Sequence, residues 1–364
     1  MRTIILMHQT VTNHDAIGND IERMYQLLSK GNDCYVYAEN QFNTKVTYIS
    51  IDELKKVIEK PETVIIYHHS GFWEVGEEIL DACKCKLVIR YHNVTPPEFF
   101  EPYNAFHYSQ CKNGREQTER FIEKYSQAIW LSASEYDQKE IHDVSPDRLF
   151  VCPPFHKISE WTAKLPSERV LQELLYDNRL QVLFVGRIAP NKGHLFMLEV
   201  LSCYCENYDK SIILRIVGRP DDLLEGYNEE IKQHIRCHGL EENVKFIGEI
   251  TDSTLLAYYL GSDVFLCVSE HEGFCVPILE AQSCELPILA RNLCAVPDTL
   301  GEEQLLLEED VREYAAALHE LKQNQRLVEY VRAQGKINYQ VKYTDEVITK
   351  KFTEFIKEKV GISI

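Results

Sequence analysis

The chain has 364 residues, of which 45% are apolar and 26% charged, which fits two α/β domains with cores of their own and excludes a mainly disordered chain. Its formal charge of −18 excludes a general nucleic-acid binder, which would need a basic surface, but leaves room for one basic pocket inside an acidic shell.

In chain order, TIILMH (3–8) reads as a strand and is followed by a loop through Gly18. A helix is expected over 19–30, with Ile21, Met24, Leu27 and Leu28 on one face and Gly31-Asn32 as its stop. CYVYAE resumes a strand, making a βαβ opening whose parallel strands require the crossover helix. ETVIIYHH, KLVIRYHN and QAIWLSAS continue as strands, with EVGEEILDAC as a helix between the first two and a helix opening after the third, and DRLFVCPP ends in two prolines that break regular structure. A polar connector over 155–179 holds a short helix near 167–177. The βα pattern then restarts with QVLFVGRI and runs through SIILRIVGR, NVKFIGEI, DVFLCVS and LPILAR, each separated by helical stretches. Beyond about 307 the chain is helical, and 339–358 reads as one helix with Val341, Val347, Ile348, Phe352, Phe355 and Ile356 on an apolar stripe. The expected units are an N-terminal domain over 1–165, a second domain over 166–338 and a terminal helix over 339–364 packed across both. A cleft is expected between the two α/β blocks, and the loops after strand C-termini are where ligands bind in such sheets.

Two constellations fall at those strand ends. In FVGRIAPNKG (184–193), Arg187 leaves a strand and Lys192 precedes Gly193 and a helix, so two cations and helix-start amides could meet a diphosphate. It is not a P-loop, because the lysine precedes the glycine and no Ser or Thr follows. In SEHEGFCVPILEAQ (269–282), Glu272 lies in a loop and Gly273 permits a close backbone approach. Pro277 is placed to start a helix carrying Glu280 in its first turn. Carboxylates at these two positions suit hydroxyl groups of a sugar or ribose. In the first half, His92 ends a strand before Pro96-Pro97, and His68 and His69 share that location but face opposite sides. A metal held by His8, His14, His68, His69 and His92 is conceivable but unfavoured, and none is expected. The G-x-S-x-G, H-E-x-x-H and G-x-G-x-x-G signatures are absent.

Twelve cysteines occur, four of them as C-x-C pairs (Cys83 with Cys85, Cys203 with Cys205), and none has the C-x2-C spacing of a zinc site. They are expected as reduced thiols. No run approaches 18 apolar residues and the N-terminal apolar run is too short for a secretion signal, so a cytoplasmic chain is expected, with peripheral contact at the inner membrane face left open.

The ordered series GR-x4-KG (186–193), IVGR (216–219), NVKFIGEI (243–250) and E-x7-E within HEGFCVPILEA (272–280) resembles the retaining glycosyltransferases of family 4, also called glycosyl transferases group 1. The resemblance is good from 182 to about 307 and loose over 1–165. It implies the α/β GT-B fold, with two facing Rossmann-like domains and a C-terminal helix returning to the first. It implies transfer of a sugar from a UDP-, GDP- or ADP-linked donor to a glycan or lipid-linked acceptor hydroxyl in surface-polysaccharide assembly, with retention at the anomeric carbon and no cofactor. Arg187 and Lys192 would clamp the diphosphate, Glu272 would hold the donor sugar and Glu280 the ribose. Gly273, Phe274, Cys275 and Val276 would line the donor, and Gly218, Phe246 and Ile247 the base. His92 would stand by the transferred sugar and Gly18 by the phosphates. Cys275 replaces a glycine common in relatives. A sugar-nucleotide-binding scaffold and an epimerase-like enzyme are the alternatives left open.

Overall fold

The computed structural model describes residues 2–13 and 15–363; His14 lies outside them. The chain divides into two compact units. The first comprises Met1–Pro97, Ser109–Lys157 and Thr344–Ile364, and the second Glu98–Tyr108 and Ile158–Tyr343.

The first unit is built on a parallel sheet of strands β1 (Thr3–Met7), β2 (Asp33–Tyr37), β3 (Val64–His69), β4 (Lys86–Tyr91), β5 (Ile129–Ser132) and β6 (Leu149–Val151), in the order β2-β1-β3-β4-β5-β6. Every residue of β3 is buried, as expected for a parallel strand covered on both faces. Alternation sends Ile4, Leu6, Val64 and Ile66 to one core and Ile5, Ile65, Tyr67 and Ile89 to the other. Helix α1 (Ala16–Leu28) starts three residues before the expected position because Asp15 caps it, accepting the Gly18 N–H. Its Ile21, Met24, Leu27 and Leu28 pack on the first core, as the spacing required. Helix α2 (Glu74–Asp81) precedes β4. Helix α3 (Ala105–Lys124) has no counterpart in the sequence reading. It buries Gly114, Gln117 and Thr118 beside Phe121 and Ile122, so its inner face carries little apolar periodicity.

The second unit repeats the architecture with strands β7 (Leu180–Val185), β8 (Ile212–Val217), β9 (Val244–Gly248), β10 (Val264–Cys267), β11 (Ile288–Arg291) and β12 (Leu305–Leu307), in the order β9-β8-β7-β10-β11-β12. This is the doubly wound order of dinucleotide-binding sheets. Helix α4 (His194–Asn207) follows β7, and α5 (Val276–Ser283) follows β10. In such sheets ligands bind where the winding reverses, beyond the strand C-termini. The reversal falls between β1 and β3 in the first unit and between β7 and β10 in the second.

The C-terminal stretch is two helices rather than one. Helix α6 (Gln325–Lys342) ends at Tyr343, and α7 (Asp345–Phe355) begins afresh with Thr344 accepting the Val347 N–H. Val341 therefore belongs to the earlier helix and is 65% exposed, off the expected apolar stripe. Ile348, Phe352, Phe355 and Ile356 do form a buried face, packed into the first unit's core. Burial of such side chains stabilises by about 1.5–3 kcal/mol each. The C-terminal helix is thus part of the first unit, to which the chain returns after completing the second. Among the described residues no helix is long and apolar enough to cross a membrane.

Candidate functional site

In the second unit, the loops after β7 and β10 meet at the winding reversal. Gly193 makes this possible: it takes φ +70°, and a β-carbon there would run into the Val268 carbonyl oxygen. Asn191, buried just before it, ties the loops together. Its carbonyl accepts from the N–H groups of Glu270 (2.9 Å) and His271 (3.2 Å), and its side-chain amide donates to the His271 carbonyl at 3.2 Å. The result brings two residues 80 positions apart into contact: the Lys192 ammonium donates to Glu272 Oε1 at 2.7 Å. The Ser269 hydroxyl donates to the same oxygen at 2.8 Å. Burial works against the Lys192 charge, but the adjacent Glu272 carboxylate, with the nearby Cys275 and Cys267 sulfurs, holds the ammonium above its ordinary pKa. Arg187 leaves the end of β7 with its side chain 54% exposed and its nearest anion, Asp221, 3.9 Å away. Two cations therefore stand at one strand end, one locked and one extended.

Glu280 sits on the fifth residue of α5, not in its first turn, because the helix begins at Val276 and Pro277 takes its second position. The carboxylate accepts from the Tyr259 hydroxyl at 2.6 Å, and Tyr259 stacks on Trp161 with centroids 5.8 Å apart. Burial raises Glu280 to a pKa of about 7, the Tyr259 hydrogen bond opposing only part of the effect. Gly273 is half-buried, while Phe274 is buried and its carbonyl accepts from Thr299 Oγ1 at 2.5 Å. Cys275 takes φ +70° at the N-terminal cap of α5, a left-handed conformation that glycine adopts more readily and that accounts for a glycine being at home there. Val276 opens the helix. On β9, Phe246 is 42% exposed and Ile247 half-buried, and Gly218, after β8, donates its N–H to the Gly248 carbonyl at 3.1 Å.

The first unit's reversal is occupied differently. His92 follows β4, and its Nε2 is hydrogen-bonded to His68 Nδ1 at 2.9 Å, the rings stacked at 5.2 Å. Below them Asp20, from α1, accepts from Arg90 Nε at 2.9 Å and from the Phe155 N–H at 2.8 Å. Arg90 also donates to the carbonyls of Ser132 and Cys152. His69 points the other way, to Thr118 Oγ1 at 2.8 Å, as alternation along β3 requires. Burial, reinforced by surrounding positive groups, holds His68 and His92 well below the ordinary histidine pKa, so both rings are neutral near pH 7. Asp20, His68 and His92 bring donor atoms within 4.8 Å of one another, a spacing that can hold a metal. However, the Arg90 guanidinium already pairs with the Asp20 carboxylate and the two rings bond each other. Gly18 is not a loop glycine. It lies in the first turn of α1 with its N–H engaged by Asp15, and it is glycine because the Thr12 carbonyl oxygen occupies the place of a β-carbon.

Sequence reasoning missed Asn191, Ser269 and Tyr259 in the second unit and Asp20 and Arg90 in the first. Asn191 had a signal in its position beside Lys192. Tyr259 had none, since it reaches Glu280 from a different helix, Asp252–Gly261.

Residues 168–338, just under half of the chain, match the family described as glycosyl transferases group 1. The chain is a GT-B protein related to that family. Among curated relatives, a phosphatidylinositol N-acetylglucosaminyltransferase component from Arabidopsis thaliana is 22% identical over 312 residues, covering 84% of this chain and 64% of that protein. The serotype-specific mannosyltransferase WbdA of Escherichia coli is 29% identical over 160 residues, covering 42% of this chain and 19% of that protein. The chain thus spans less than two thirds of these relatives. The solved structure of HepE from Anabaena in complex with UDP and glucose superposes with a TM-score of 0.77 at 16% identity, covering 98% of this chain and 100% of that one. That likeness is one of GT-B fold, shared over nearly the whole length.

Proposed function

We propose that this GT-B protein transfers a sugar from a UDP-linked donor to a hydroxyl of a glycan or lipid-linked acceptor, with retention at the anomeric carbon. The observation that carries this reading is the contact of Lys192 with Glu272 at the winding reversal of the second sheet, with the exposed Arg187 just after the end of β7. HepE, of the same fold, has been solved with UDP and with UDP-glucose, which favours uridine among the donor bases.

In the proposed reaction the bond from the anomeric carbon to the donor phosphate oxygen breaks, and one from that carbon to the acceptor oxygen forms on the same face. The acceptor proton passes to the departing phosphate. Arg187 and Lys192 stabilise the charge that develops on the diphosphate, where positioned cations lower a barrier most. Glu272 accepts from donor-sugar hydroxyls while one of its oxygens is fixed by Lys192 and Ser269. Glu280 takes the ribose, Gly273 through Val276 line the donor, and Gly218, Phe246 and Ile247 flank the base. His92, neutral and oriented by His68, is assigned to the transferred sugar, and Gly18 to the phosphate side. On the same reading the protein acts in surface-glycan assembly in the cytoplasm, with peripheral membrane contact where the acceptor is lipid-linked.

The test is a binding screen of UDP-, GDP- and ADP-sugars by thermal shift, with Lys192→Ala alongside. Stabilisation by a UDP-sugar that the variant loses is expected. Equal stabilisation of wild type and variant would remove the diphosphate assignment, and preference for another base would replace uridine.

A further inference from the structure

The chain contains two C-x-C pairs with identical spacing and opposite geometry. Cys203 and Cys205 lie within α4, where residues two apart point to different sides of the helix. Cys83 and Cys85 lie in the turn between α2 and β4, outside regular structure. Backbone bonds pin this turn from both sides: the Cys83 N–H donates to the Leu80 carbonyl at 3.1 Å and the Lys84 N–H to the Ile58 carbonyl at 3.0 Å. The turn folds the two side chains together, so that their sulfurs stand 2.8 Å apart, and the Cys85 N–H points at the Cys83 sulfur at 3.4 Å. Both are free thiols and both are only half-buried. Cys267 and Cys275 also approach, at 3.7 Å, but both are buried.

We propose that Cys83 and Cys85 form a dithiol that exchanges with small-molecule disulfides and closes to an intramolecular disulfide. Cys83 is the attacking residue. Hydrogen bonds from the Cys85 thiol and backbone N–H lower its pKa against the effect of burial, while Cys85 is raised by the same partnership. The Cys83 thiolate attacks one sulfur of the small disulfide, breaking its S–S bond, forming a mixed disulfide and releasing one thiolate that takes up a proton. The Cys85 thiol then gives its proton to solvent and attacks the Cys83 sulfur, releasing the second thiolate. The protein loses two electrons and two protons, and the small disulfide becomes two thiols. Proximity makes the second step intramolecular and fast.

The experiment incubates the reduced full chain with oxidised glutathione, quenches with iodoacetamide and maps alkylation by mass spectrometry. With the iodoacetamide quench carried out in denaturant, so that every remaining thiol can react, residues 83 and 85 should be lost together as a linked peptide at least tenfold faster than Cys203 and Cys205. Cys85→Ser should stop at a glutathione adduct on Cys83, and Cys83→Ser should abolish the linked peptide. Exchange at 83 and 85 no faster than at 203 and 205, or no adduct on Cys83 in the Cys85→Ser chain, would overturn the proposal. Serine is small and polar at a half-exposed turn, and matching melting curves confirm that each variant is folded.

Discussion

The two winding reversals of this molecule hold similar inventories of charge and use them in opposite ways. At the first, Asp20 and Arg90 are fully buried and paired, with backbone groups of Phe155, Ser132 and Cys152 as their further partners, while His68 and His92 bond each other. At the second, Lys192 is locked to Glu272, but Arg187 is 54% exposed and pairs with Asp221 only loosely, at 3.9 Å. A closed network orients one residue, here His92, at a cost in desolvation. An open one leaves cationic charge available to a ligand. Position at a strand C-terminus nominates residues for a site, while the state of their partners decides what they can do there.

Breaking the closed network should have the largest effect. Asp20→Ala strands the Arg90 guanidinium in the core, and a loss of about 3–5 kcal/mol in urea unfolding is expected. Replacing both residues with apolar ones of similar volume should recover much of it. A double variant no better than Asp20→Ala would show that the network does more than neutralise a charge. In the open network, Lys192→Ala should leave the fold intact and lower sugar transfer by about 10²–10³-fold, the effect of one lost donor at a developing anion. Turnover close to wild type in a donor-hydrolysis or transfer assay would exclude Lys192 from that role.

Glu280 sharpens the comparison through pH. Its folded pKa of about 7 lies above the unfolded value, so the native state holds a proton that the unfolded chain releases between roughly pH 4.5 and 7. Its contribution to stability is therefore present at low pH and lost as pH rises through 7. Glu280→Gln should remove that part of the slope, about 2–3 kcal/mol between pH 5 and 7.5, in denaturant titrations of the ligand-free protein. An unchanged slope would mean that the carboxylate ionises freely beside Tyr259. The smallest expected effect is at the helix break: Thr344→Ala removes the cap of α7 and should cost about 1 kcal/mol, read as a lower melting temperature.

Much of this protein is determined locally and is legible in its sequence. Runs rich in apolar residues such as VIIYHH and IILRIV report parallel strands buried on both faces, and the 3.6-residue spacing of Ile21, Met24 and Leu28 reports the face of α1. The order of strands and loops is enough to put Arg187, Lys192 and Glu272 at strand ends. Where the inner face of an element is polar, as in α3 with Gln117 and Thr118, periodicity has nothing to report. Where two helices are separated by only two residues, as at Tyr343-Thr344, the apolar pattern runs through the break unmarked. Only the tertiary structure decided which charges are partnered: Lys192 with Glu272 across 80 residues, Arg90 with Asp20 across 70, Tyr259 on Glu280. It also decided which of two identical C-x-C spacings brings its sulfurs together. Those outcomes depend on contacts between elements distant in sequence and on the burial they create. Burial sets the cost of a charge, and no local pattern of residues encodes it.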